Sequence, residues 1–216
     1  MSSSFSSREI PIHAPILGAN QAKAEALRQR FRSQGMKSLN LISSPGAGKT
    51  TLLEKTIKGL SQFKIGVIEG DIATARDAER IVKAGAHAVQ INTHGACHLD
   101  AAMVEKALDQ LDGDYRFLFI ENVGNLVCPA EFDLGEEAKV AILSVTEGAD
   151  KPAKYPLVFL QSAVLLISKI DLLPYVDCDI QAMMADALLV NPNIEIFPLS
   201  AKTGEGMDAW FDWLRR

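Results

Sequence analysis

Cysteine is scarce in this chain: three in 216 residues. The number is odd, and reduced thiols or metal ligands fit it better than a disulfide framework. Basic excess is absent as well. The formal net charge is −5 and no basic stripe is visible, which argues against nucleic acid as a partner. No apolar run approaches membrane-spanning length; the longest, such as Ala163-Val164-Leu165-Leu166-Ile167, are strand-length. The opening Met1-Ser2-Ser3-Ser4-Phe5 has neither a basic nor an apolar signal region, so a cytoplasmic location without membrane attachment is expected. There is no internal repeat and no biased tract beyond the Ser-rich start. What remains is a composition 48% hydrophobic, enough for one substantial core.

The most informative segment is Ser44-Pro45-Gly46-Ala47-Gly48-Lys49-Thr50. It follows the apolar run Leu39-Asn40-Leu41-Ile42 and opens an amphipathic stretch, Leu52 to Ile57. Strand, glycine-rich loop and helix in that order give a phosphate-binding P-loop its structural context. Gly46 and Gly48 let backbone N–H groups face one point without a Cβ in the way. A helix starting near Lys49 aims its positive end at the same point. Lys49 is expected to reach the β- and γ-phosphates and Thr50 to hold Mg²⁺. One departure is Ser43, where the usual pattern begins with Gly.

Short apolar strands then alternate with helical patterns. Strands are expected at 65–69, 88–91, 117–121, 140–145, 163–167 and 194–199. Helices are expected at 19–33, 75–83, 100–111, 180–189 and 207–214. This alternation predicts an α/β P-loop NTPase fold: a largely parallel sheet with helices on both faces. Residues 1–16 read as a polar N-terminal arm and 17–216 as the nucleotide-binding domain, with the metal site embedded in it. Ligands of such sheets bind at the carboxyl ends of the strands.

Two strand ends resemble the guanine-reading loops of GTPases: Ser168-Lys169-Ile170-Asp171 and Ser200-Ala201-Lys202. A carboxylate at Asp171 can accept from guanine N1–H and the N2 amino group, both missing from adenine. The wrong base leaves that carboxylate unpaired, at a cost on the order of 1–3 kcal/mol. Lys169 would pack its stem over the base or the P-loop, and Ala201 would offer its N–H to O6. Ser168 replaces the usual Asn, so weaker base selectivity is expected. Alone, a Lys-x-Asp would be no more than a solvated strand end.

Two further strands end in acids, Glu69-Gly70-Asp71 and Glu121-Asn122-Val123-Gly124. Such acids hold Mg²⁺ or its waters, and a neighbouring glycine N–H can reach the γ-phosphate. Glu121 with Gly124 reads as an Asp-x-x-Gly switch with Glu in the first place. Asp71, then Asp77, are candidates for orienting the attacking water; both also suit helix capping and a first-turn acid. No glutamine stands in an obvious place to position water, so slow intrinsic hydrolysis is expected.

Cys97-His98 opens a helix, and Cys128-Pro129 follows the Glu121 switch. Two thiolates and an imidazole form a soft set suited to Zn²⁺ or Ni²⁺. Three ligands do not close a site, though a dimer can. On spacing alone, two buried thiols and a helix-start histidine explain the residues equally well.

The segments from Asn92 to Ala101 and from Glu121 to Glu136 closely resemble the HypB family of hydrogenase nickel-incorporation GTPases. So do Ser43 to Thr51, Glu69 to Asp71 and Asp77 to Arg80. The resemblance runs from about Ile16 to the C-terminus, and the departures at Ser43, Ser168 and Glu121 are ordinary within it. It implies GTP or GDP bound by residues including Thr51, a GTP-dependent homodimer, and nickel or zinc on Cys97, His98 and Cys128. It also implies a small HypA-type nickel chaperone and a [NiFe]-hydrogenase large-subunit precursor as partners. Residues 1–40 hold no Cys and only His13, so no high-affinity N-terminal site or nickel store is expected there. His87 and His94 are weaker candidates for ligands.

These parts suggest a switch. Cys128 lies seven residues after Glu121, so reordering Gly124 at a γ-phosphate would drag it and alter metal affinity. Rival readings are a urease-type nickel accessory GTPase, a metal-binding scaffold that only holds nucleotide, and a small-substrate kinase. The urease-type motif has a Cys-Pro-His order, which Cys128-Pro129-Ala130 lacks.

Overall fold

The computed structural model of this chain describes residues 13–71 and 76–216, with side chains described over 17–70 and 77–216. In chain order its elements begin with α1 (His13–Ser33), β1 (Lys37–Ser43), α2 (Lys49–Gly59), β2 (Ile65–Asp71) and α3 (Arg76–Ala84). Next come β3 (His87–Asn92), α4 (Ala101–Leu108), β4 (Phe117–Glu121), α5 (Cys128–Glu131) and β5 (Ala138–Ser144). The chain continues through α6 (Lys151–Lys154), α7 (Pro156–Gln161), β6 (Ser162–Ser168), α8 (Ile180–Val190), β7 (Glu195–Pro198) and α9 (Met207–Arg215).

The strands form one sheet in the order β3-β2-β4-β1-β5-β6-β7. Every pairing among the described residues is parallel. A sheet covered on both faces needs strands that are apolar nearly throughout, and β1 and β4 are buried along their full lengths. Alternation sends Leu39 and Leu41 to one face, against Leu52, Leu53 and Ile57 of α2 and Trp210 of α9. The other face takes Leu118 and Ile120 against α1 and α4, and Ile42 against α7 and α8. Trp210 is 1% exposed, and its indole N–H donates to Thr56 Oγ1 at 3.0 Å. The closing helix is thereby fixed to the helix that follows the P-loop, with its buried indole N–H paired.

The sheet order puts the P-loop strand β1 beside β4, and β4 beside β2. Glu69 and Glu121 pair in register, so both acids arrive at the same sheet end as the P-loop. Differences from the sequence reading are local. The first helix starts at His13 and reaches back into the expected arm; Pro15 falls in its first turn, where a missing N–H costs nothing. Residues 1–12 of that arm lie outside the described residues. The fourth helix is shorter than 100–111: Asp100 is its N-cap, accepting from Met103 N at 2.8 Å, and Asp109 is its C-cap. The short helices α5, α6 and α7 each have Pro at an opening position, and lengths of four to six residues show no 3.6-residue period.

Candidate functional site

The P-loop closes over α2. Gly46 and Gly48 adopt φ of 76° and 99°, a region that a Cβ would oppose. Gly48 precedes α2 and no side chain caps the helix, so its first N–H groups face the cleft. Lys49 is 9% exposed, and its Nζ donates to Ser43 Oγ at 2.9 Å. The hydroxyl that replaces the usual glycine thus serves as an acceptor for the phosphate-binding lysine.

This cleft has a volume of about 530 Å³ and is lined by the P-loop, Glu69, Asp77, Arg80, Glu121 and Gly124. Glu121 is 5% exposed. Its Oε1 accepts from Thr50 Oγ1 at 2.9 Å, and its Oε2 has no hydrogen-bond partner among the described residues. A buried carboxylate oxygen without a donor, beside a P-loop threonine, fits a hard divalent cation or one of its waters. Burial raises the Glu121 pKa from 4.5 to about 7, with Lys49 and the Thr50 hydrogen bond pulling the other way. Gly124 lies against the P-loop: a Cβ there would meet Pro45 Cα at 3.0 Å.

The Glu121 shift has a sign that can be measured. The folded state holds this proton more tightly than the unfolded chain does. Its contribution to stability is therefore present below pH 4.5 and is lost as pH rises through 7. The loss is about 3 kcal/mol at the upper end. In metal-free protein, wild type should lose stability relative to Glu121→Gln between pH 5 and 8 in denaturant titrations. A pH-independent difference would contradict this.

Asp77 lines the cleft with its carboxylate engaged by Arg80 Nη1 at 3.0 Å. Arg80 also binds both carboxylate oxygens of Glu54 and reaches Thr51 Oγ1 at 3.1 Å. Sequence reasoning gave Arg80 no role, although the Asp77–Arg80 spacing of three is a helical ion-pair signal. Asp71 ends β2 by its backbone, and its side chain lies outside the described residues.

A second cavity, about 220 Å³, adjoins the first and is lined by Ser168, Lys169, Asp171, Ser200, Ala201 and Lys202 among others. The two expected base loops therefore meet across one space. Asp171 Oδ1 accepts from Ser200 Oγ at 2.6 Å, and Ser200 Oγ accepts from Thr203 N at 3.2 Å. Ser200 thus orients the carboxylate. Ser168 donates to Ala47 O at 2.7 Å, so its hydroxyl ties the base loop to the P-loop. Lys169 sits at φ 62°, an uncommon conformation for a residue with a Cβ. It donates from Nζ to Gly46 O at 2.6 Å, which is the expected packing over the P-loop.

The soft donors also converge. One ligand atom from each of Cys97, His98 and Cys128 lies within 4.8 Å of the other two. Donors around one ion at about 2.0–2.3 Å are roughly 3.5–4 Å apart, so a small contraction seats an ion. His98 Nδ1 is 3.6 Å from Cys97 Sγ, and its ring stacks on Phe132 at 3.9 Å. Cys97 is exposed and the other two are half-buried. The Cys128 thiol, with some burial, raises the Cys97 pKa; burial lowers that of His98, favouring the neutral imidazole that a metal needs. His87 instead lies 3.0 Å from the Tyr115 hydroxyl, and His94 is exposed on the loop before the cluster. Phe132 was not anticipated as a support for His98.

The CobW/HypB/UreG nucleotide-binding domain model matches residues 38–198. The hydrogenase maturation factor HypB of Azotobacter chroococcum is 54% identical over 97% of this chain and 70% of its own length. The chain belongs to the HypB family. Two HypB crystal structures share its fold. That of the Helicobacter pylori protein in complex with nickel has a TM-score of 0.87 and 40% identity, covering 91% of this chain and 94% of that one. The Archaeoglobus fulgidus protein has a TM-score of 0.87 and 41% identity, covering 92% and 98%. The seven-stranded parallel sheet and P-loop are thus those of HypB nucleotide-binding domains. No helix among the described residues is long and apolar enough to cross a membrane.

Proposed function

We propose that this HypB-family chain is a GTP-hydrolysing switch that carries nickel for [NiFe]-hydrogenase maturation. The observation that carries this reading is the convergence of Cys97, His98 and Cys128 on loops that leave the same sheet end as the P-loop and Glu121. Lys49 and the α2 N-terminus hold the β- and γ-phosphates. Thr50 and Glu121 would hold Mg²⁺, which would supply charge neutralisation at the phosphates. Asp71 orients the attacking water, and Asp77 is the second candidate. Asp171, held by Ser200, reads guanine.

The metal set binds nickel as cargo, with zinc as a competitor for the same donors. Three donors leave the site open, and a second copy in the GTP state supplies the remainder. Release then passes the ion to a HypA-type chaperone and the hydrogenase large-subunit precursor. The chemistry stays at the phosphate; the metal is moved, not transformed.

Two assays test this reading together. Phosphate release from GTP should exceed the uncatalysed rate, with slow turnover. Nickel titration should saturate at a site that Cys97→Ala weakens by at least about 30-fold, since loss of one thiolate from three donors removes a charged ligand. Nickel binding indifferent to Cys97 would remove the cargo role and leave a GTPase.

A further inference from the structure

Two buried asparagines bridge the loops that carry the metal donors. Asn122 is 1% exposed and lies between Glu121 and the Val123-Gly124 turn. Its Oδ1 accepts from two backbone N–H groups, Leu99 at 3.1 Å and Val123 at 3.0 Å. Its Nδ2 donates to Asn40 Oδ1 at 3.2 Å. Asn40, fully buried in β1, donates in turn to Glu136 Oε1 at 3.2 Å, and Glu136 Oε2 accepts from Leu134 N at 2.6 Å. A continuous buried chain thus runs from Leu99, next to His98, to Leu134, at the far end of the loop that carries Cys128.

Asn20 of α1 makes a separate bridge. Its Oδ1 accepts from Ala101 N at 2.8 Å, and its Nδ2 donates to Asp133 O at 2.8 Å. It joins the same two loops, and among the described residues it makes no hydrogen bond to the switch turn.

We propose that Asn122 is the positioning residue that couples the phosphate cleft to the metal cluster. One side-chain carbonyl holds both the switch turn and the Cys97-His98 loop. A carbonyl oxygen has two lone pairs, and here both are occupied by N–H groups in a buried place, where an unmade bond is costly. Movement of Val123-Gly124 toward a γ-phosphate rotates this amide and re-aims Leu99, and with it His98 and Cys97. Asn40 and Glu136 fix the other end, so the displacement is delivered to the metal loop. The inference rests on the nucleotide-gated reading above.

The test is calorimetric titration of Ni²⁺ into the full chain at saturating GDP and at saturating non-hydrolysable GTP analogue. Wild type should show nickel affinities that differ by about fivefold or more between the two states. Asn122→Ala should bring that ratio to within about twofold of one, with nickel still bound. Asn20→Ala should weaken nickel in both states by a similar factor and keep the ratio. Asn40→Ser removes the link that orients the Asn122 amide, should also lower the ratio, and takes the place of Asn122→Ala if that variant fails to fold. A wild-type ratio retained in Asn122→Ala and Asn40→Ser overturns the inference, as does equal loss of the ratio in Asn20→Ala. A ratio of one in wild type instead removes the gated reading itself.

Discussion

Replacing Lys49 by alanine should lower GTP turnover by at least about 100-fold, the size expected when one preorganised donor to developing phosphate charge is removed. Two effects add. The ammonium that faces the β- and γ-phosphates is lost, and so is the positive charge that holds down the pKa of Glu121. With burial opposed only by the Thr50 hydrogen bond and the Arg80 charge, Glu121 holds its proton to higher pH and becomes a poorer partner for Mg²⁺. The variant should therefore bind Mg²⁺-nucleotide most weakly at neutral and lower pH, with partial recovery as pH rises. Phosphate release and nucleotide affinity measured from pH 6 to 9 check both parts. Turnover within about tenfold of wild type would show that the P-loop lysine does not carry the chemistry.

The second large effect concerns base choice. Asp171→Asn should weaken GTP binding by about 1,000-fold, since two charge-assisted hydrogen bonds are at stake. The same change should improve binding of xanthosine triphosphate. An amide offers one acceptor and one donor, which complement the N1–H and the C2 carbonyl of xanthine. Ser200, which donates to Asp171 Oδ1 at 2.6 Å, can keep the new amide in the same plane. Competition binding with GTP, xanthosine triphosphate and ATP reads the result. Unchanged preference for GTP would move guanine recognition away from this loop.

Much of this was legible in the sequence because the chemistry is local. The P-loop, Ser168 to Asp171 and Ser200 to Lys202 are contiguous stretches, and a parallel α/β sheet brings strand ends to one side whatever the details of packing. The pairing of Cys97-His98 with Cys128 was legible as a soft donor set and through the family resemblance; its closeness depends on β3 and β4 both flanking β2. Asn122 and Asn40 escaped a role for a physical reason. A single buried asparagine, in strand β1 or just past the end of β4, carries no pattern of its own, and the partners of Asn40 are 82 and 96 positions away in sequence. Arg80 was hidden likewise, since its contact with Glu54 joins two different helices. Ser168 has a contact that its place in the base loop did not announce. Its hydroxyl donates to the P-loop carbonyl of Ala47, so Ser at this position links the two loops.

The measurement that tests the account most directly is nickel affinity in the two nucleotide states, with mass read at each point. The account predicts affinities that differ by about fivefold or more between GDP and a non-hydrolysable GTP analogue. It also predicts that a dimer forms with the analogue, and that metal shifts nucleotide affinity by the same factor, as linkage requires. Identical nickel affinity in both states would contradict it.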